Sequence, residues 1–106
     1  MKRTVERTDD GRWVVIDGRR WRATDPAIPE DVAAELRREL MSARRAVGVA
    51  LRSGDVDEER VARDRVHRAK TALGERGEPW WEQDLAQRRA RWEAGLSNGA
   101  PRARDL

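Results

Sequence analysis

The sequence predicts an α+β fold: a β-hairpin packed on an antiparallel helical hairpin, with a C-terminal helix. Three observations carry this prediction. An Asp17-Gly18 pair stands between two β-prone runs, Trp13-Val14-Val15-Ile16 and Arg19-Arg20-Trp21-Arg22, and such a pair is the strongest short-range hairpin signal. Small and aliphatic residues then recur at alternating helical spacings from Ala33 to Ala50. A second stripe begins soon after Gly54, and so short a connection forces an antiparallel neighbour.

With Asp17 and Gly18 at the centre of a type I′ turn, Ile16 faces Arg19, Val15 faces Arg20, Val14 faces Trp21, and Trp13 faces Arg22. Side chains alternate along each strand, so Val14, Ile16, Trp21 and Ala23 share an apolar face that wants a core. Trp13, Val15, Arg20 and Arg22 share the other face. That mixture of guanidinium and indole suits phosphate and base contacts, and it suits equally a cation–π pair closing a small sheet. Upstream, Thr4 to Thr8 reads as an extra strand joined to the hairpin through Asp9-Asp10-Gly11.

The segment Thr24-Asp25-Pro26-Ala27-Ile28-Pro29 breaks regular structure. Pro29 followed by Glu30 and Asp31 opens a helix, with Pro at its first position and acids on the positive dipole end. Its seam is Ala33, Leu36, Leu40, Ala43, Val47 and Ala50, widened by Val32 and Leu51. Gly54 supplies the terminating residue, and Asp55 with Glu58 three positions later resembles a capping box. The second helix carries Ala62, Val66, Ala69 and Leu73 on one side and stops at Gly74. Both helices are acidic early (Glu30, Asp31, Glu35; Asp57, Glu58, Glu59) and basic late (Arg44, Arg45, Arg52; Arg65, Arg68, Lys70), so antiparallel packing brings opposite signs together at both ends.

Gly74-Glu75-Arg76-Gly77-Glu78-Pro79 is a turn-rich connector into Trp80-Trp81. A third helix is predicted from about Pro79, with Trp81, Leu85, Trp92 and Leu96 as a sparse stripe and Gly95 weakening its end. Residues 97–106 lack periodic apolar content and read as a disordered tail, leaving 1–96 as one small domain. One of the two adjacent indoles is expected to cover the helical hairpin against Val14, Ile16 and Trp21.

A chain of 106 residues with 41% charged and 5% aromatic side chains has one modest core and little room for a large catalytic cleft. The net charge is +3, and acids and bases are interleaved, so there is no polybasic arm. Apart from Lys2 and Lys70 every basic residue is arginine; codon usage in a GC-rich genome would give that skew, and arginine is also the better phosphate ligand. The sequence has no cysteine and one histidine, His67, which leaves disulfides, thiolate chemistry and transition-metal sites without support. No cofactor is expected. Neither a membrane-spanning run nor a signal-peptide h-region is present, so the expectation is a soluble cytoplasmic protein without a membrane partner. Asp9, Asp10, Asp17 and Asp25 are accounted for by turns and a helix start, and no nucleophile triad, phosphate-binding glycine loop or metal motif occurs, so no catalytic residue is assigned.

Three segments together resemble a family of small actinobacterial proteins that carries the label biopolymer transporter Tol. They are Gly11 through Pro26, the helical run Glu35-Leu36-Arg37-Arg38-Glu39-Leu40-Met41-Ser42-Ala43-Arg44-Arg45, and Leu73-Gly74-Glu75-Arg76-Gly77-Glu78-Pro79-Trp80-Trp81-Glu82. The resemblance spans about residues 11–82 and implies a small intracellular protein with no established catalytic residues. It does not extend to the helix after Glu82. A Tol transport role would call for a membrane anchor or repeated propeller blades, and the sequence has neither.

The resulting expectation is a small non-enzymatic binding protein whose Trp13, Arg19, Arg20 and Arg22 contact nucleic acid, as β-ribbon readers do. The rival is a protein-interaction or self-assembly module built on the helical hairpin and the Trp80-Trp81 pair. There Trp21, Trp80 and Trp81 are core or interface residues, and a homodimer completes a four-helix core. A small-ligand or active site at an oligomer interface is a third reading.

Overall fold

The structure is a computed structural model that describes residues 4–98. Its sheet is an antiparallel meander of β1 (Val5–Arg7), β2 (Trp13–Ile16) and β3 (Arg19–Arg22), in that spatial order. The hairpin register is the one the turn predicts: Ile16 pairs with Arg19, Val15 with Arg20, Val14 with Trp21 and Trp13 with Arg22. Asp17 (φ 51°) and Gly18 (φ 82°) are both left-handed, as a type I′ turn requires. The Asp17 carboxylate also accepts the Thr4 N–H at 3.0 Å, so the turn residue pins the start of the outer strand.

Helix α1 (Glu30–Ser53) and helix α2 (Val56–Ala72) form the antiparallel hairpin. Pro29 stands at the N-cap, one residue outside the helix it was expected to begin. Ala33, Leu36, Leu40, Ala43 and Ala50 are buried on α1, and Ala62, Ala69 and Ala72 on α2, with Leu73 just past its end. So many alanines at a seam need a close approach, and the turn delivers it: Gly54 is left-handed (φ 71°) and Asp55 caps α2 by accepting the Glu58 N–H at 3.0 Å. An ion pair between the two helices lies mid-hairpin, where Arg65 donates to both Glu39 oxygens (2.9 and 3.1 Å) and to Ser42 Oγ (3.0 Å). Asp57 and Glu59, expected to serve the hairpin end, pair within α2 with Arg60 and Arg63.

The third helix starts later than its pattern suggests. Pro79 opens only a single 3-10 turn, Trp80–Glu82, after which Gln83 is extended. Helix α3 (Leu85–Asn98) begins at a reciprocal cap in which Asp84 accepts the Gln87 N–H and Gln87 accepts the Asp84 N–H, both at 2.8 Å. Leu85 in the first turn is 68% exposed, so the buried stripe consists of Trp92 with the partly buried Leu96. Gly95 is the point where α3 crosses α2, since a Cβ there would lie 2.2 Å from Ala72 Cβ. The helix runs to Asn98, so the first two residues of the expected tail are helical and residues 99–106 lie outside the described residues.

The connector between sheet and helices is clamped at both ends. Asp25 N–H donates to Leu73 O (2.9 Å), Thr24 Oγ1 to Glu75 Oε2 (2.7 Å) and Arg22 Nη1 to Gly77 O (2.6 Å). Ile28 drops into the core with Leu36, Leu40, Leu73 and Trp92.

Candidate functional site

The sheet presents two faces of different character. On the first, Trp80 is buried and its Nε1–H donates to Ala23 O at 2.9 Å, which fixes the indole pair beside the base of the hairpin. Trp81 then meets Trp80 (centroids 5.2 Å apart) and Trp13 (5.6 Å), both edge to face. The Trp pair therefore packs on the Trp13 face of the sheet, opposite to the apolar face it was expected to cover. The reason is the Ala23 hydrogen bond, a constraint that the hydrophobic pattern does not contain. Guanidinium groups line this indole row: Arg20 lies 4.4 Å from Trp13, Arg12 5.0 Å and Arg22 5.8 Å from Trp81, and Arg88 5.3 Å from Trp80. Arg22 is tied to Gly77 O, whereas Arg12 and Arg20 are exposed and have no ion-pair partner among the described residues.

The second face carries Arg7, Val14, Ile16, Arg19 and Trp21, as the register dictates. Val14 and Ile16 are half-buried and Trp21 is 40% exposed. Instead of closing onto the helices, this face leaves a cleft of about 430 Å³, lined by Arg7, Val14, Ile16 and Trp21 on one side and by Arg44 and Lys70 on the other. Arg19 stacks on Trp21 at 4.3 Å, and the Lys70 ammonium lies 5.5 Å from the same ring. Burial pushes the Lys70 pKa down; Glu75 pulls it up, Arg76 and Arg44 push it down, and the net result is below the ordinary lysine value. Glu75, the acid in the cleft wall, is occupied by the Thr24 hydroxyl.

Of the four residues expected to form one binding surface, Trp13, Arg20 and Arg22 share a face, and Arg19 lies on the opposite one. Arg44 and Lys70, read from the sequence as late basic charges of the two helices, were not expected at a site. The available signal was Lys70 itself, a long cation beside Ala69 on the seam side of α2. Among the described residues no group of His, Cys, Asp and Glu is arranged to hold a metal ion, and no helix is long and apolar enough to cross a membrane.

A third polar cluster is internal. Asp25 is 1% exposed and receives Arg88 Nε at 2.9 Å, further donors from Arg88 and Arg91, and the Ala27 N–H at 2.8 Å. Burial pushes its carboxyl up, but the hydrogen bonds from Arg88, Arg91 and Ala27 outweigh that and hold it below the usual carboxylate value. All of its oxygens are engaged by protein, so it is an anchor and has no capacity left for a ligand.

No protein-family model matches the chain, and comparison with curated proteins and with solved structures finds no match. What the site does therefore rests on its geometry.

Proposed function

We propose that this protein is a non-enzymatic nucleic-acid-binding module that contacts phosphates through exposed arginines in and beside its sheet. The observation that carries this reading is that Arg12, Arg19 and Arg20 are exposed, each held over an indole, and each without an ion-pair partner among the described residues. A guanidinium lying on a ring has its face occupied and its in-plane N–H fork free, which suits a phosphate better than a carboxyl-paired arginine does. Arg22, bonded to Gly77, belongs to the scaffold that holds the others.

The test is binding of labelled DNA as a function of salt. Three phosphate contacts predict a log–log slope of about −2.7 on duplex DNA, because each contributes about 0.9. Replacing Arg12 and Arg20 together by Gln is expected to reduce the slope by about 1.8 with the fold retained, since both side chains are exposed. Binding that is absent at low salt, or unchanged in the double variant, counts against this reading.

A second reading, self-association, is favoured by Val49, Leu51, Val56 and Val61, which stand more than half exposed at the turn end of the helical hairpin. Sedimentation equilibrium is expected to show a dimer that Val49→Glu with Val56→Glu disrupts. Of the Trp pair, Trp80 is buried and bonded to Ala23 O, which leaves the half-buried Trp81 to serve this reading.

A further inference from the structure

We propose that the cleft between the second sheet face and the helical hairpin is a single-strand site, taking an unpaired base against Trp21, Val14 and Ile16 and the adjoining phosphates on Arg7, Arg44 and Lys70. The proposal rests on the nucleic-acid reading above and deepens it by naming the form of the polymer.

Four features of the cleft support it. Its floor is aromatic and aliphatic, and its largest residue, Trp21, keeps 40% of its surface open even with the Arg19 guanidinium stacked on it, so apolar area stays exposed in the cleft. Its volume of about 430 Å³ falls in the range of small-molecule sites, roughly 300–1,000 Å³. Arg7, Arg44 and Lys70 come from three different elements, β1, α1 and α2, and converge with no ion pair to neutralise them among the described residues. The acid nearest Lys70 is Glu75, already bonded to Thr24, while Arg44 and Arg76 repel the ammonium. One carboxylate, Glu75, against Arg7, Arg44 and Lys70 leaves the cleft with excess positive charge, which an incoming anion stabilises.

Concavity decides between strand forms. A duplex offers its phosphates on a convex surface with the base faces stacked inside, so its bases do not reach the floor of a cleft between a sheet and a helix pair. A single strand can turn one base in and keep its backbone at the rim, the combination of aromatic platform and cationic groove on which sequence-tolerant single-strand binding relies. The same charges would attract an acidic peptide, but carboxylate side chains leave the aromatic floor empty.

The experiment compares a labelled thymidine oligonucleotide with a duplex of the same length at low salt, using the wild type and three variants, each checked for helical content by circular dichroism. Trp21→Leu keeps an apolar residue in β3 and removes the ring. Arg44→Gln with Lys70→Gln removes cleft charge from the helices, and Arg12→Gln with Arg20→Gln alters only the opposite face. The expected result is tighter binding of the single strand. Trp21→Leu should weaken it about 5- to 150-fold, the range that follows from about 1–3 kcal/mol per stacked base. The Arg44/Lys70 variant should lower the single-strand salt slope by about 1.4. Equal affinity for both forms, or wild-type single-strand binding by both cleft variants, overturns the single-strand site; sensitivity to the Arg12/Arg20 variant then still upholds the broader reading. Failure to bind either form overturns both, as does saturable binding of a poly-glutamate peptide with no binding of DNA.

Discussion

Asp25 joins the connector to two of the three helices. It ties the connector after β3 to the end of α2 through its backbone and to α3 through Arg88 and Arg91, which are 63 and 66 residues away in sequence. Its carboxyl is held below the ordinary aspartate value, so between the folded and unfolded pKa values the unfolded chain binds more protons. The stabilisation is therefore complete above the ordinary aspartate pKa of 3.8 and is lost as pH falls through the folded value. Asp10, held low chiefly by the Thr8 hydroxyl and the Arg12 N–H, titrates in the same window, so the comparison must be against a variant. Asp25→Ala is expected to cost about 3–5 kcal/mol near neutrality, because it strands two largely buried guanidiniums. Urea unfolding should show the gap between variant and wild type narrowing as pH falls below 3.8; a gap independent of pH would contradict the assignment. From sequence, Asp25 reads as a turn residue, which it also is. Its partners left a faint trace: Arg88 and Arg91 fall on the same helical side as Trp92 and Gly95, and two arginines on a buried stripe require an acid from elsewhere.

Local signals survived at the scale of elements, and long-range ones did not. The β2–β3 register, the Gly54 stop and the Asp55 cap each depend on a few adjacent residues, and each was legible. The side of the sheet that meets the Trp pair depends on a hydrogen bond spanning 57 residues, and alternation alone gave the wrong face. The Asp84-x-x-Gln87 cap is local too, but Pro79 before two indoles masked it as an earlier helix start. Gly95 shows how an element's meaning changes with its neighbour. Read within its own helix it is a weakness, since glycine costs about 1 kcal/mol against alanine. In the fold it is what lets α3 approach α2, with Ala72 Cβ 2.2 Å from where a Cβ would stand. Gly95→Ala is therefore expected to destabilise by about 1–3 kcal/mol despite the better helix propensity. Adding Ala72→Gly should turn the same substitution neutral or favourable, a coupling readable from a double-mutant cycle of denaturation midpoints. Additive effects would mean that the two helices do not meet there.

The whole molecule is broad and flat, 43 × 42 × 21 Å, and its radius of gyration of 15.1 Å exceeds the roughly 13 Å of a compact chain this long. The cause is the arrangement of the sheet, which does not lie flush on the helices. It is held by the clamped connector, by the indole pair at one face and by a cleft at the other. The apolar core belongs to the connector and the three helices, with no sheet residue in its main cluster. Stability should follow that division, because local opening is easiest where few apolar groups are buried. In native-state hydrogen exchange the central amides of α1 and α2 are expected to be the slowest, and those of β2 and β3 to exchange through a lower-energy opening that leaves the helices protected. Trp80→Phe isolates the hinge of that opening: it keeps an aromatic ring beside Trp81 and deletes the N–H donor to Ala23 O. Removing that donor should lower the sheet's opening free energy by about 1 kcal/mol or somewhat more, since the buried Ala23 carbonyl loses its partner, while helical protection changes less. Equal protection of sheet and helices in the wild type, or an equal loss in both on Trp80→Phe, would mean that the molecule opens as one cooperative unit. A separately opening sheet would also let the cleft widen without unfolding the helices, so the same exchange experiment, repeated with single-stranded DNA bound, should slow β2 and β3 selectively.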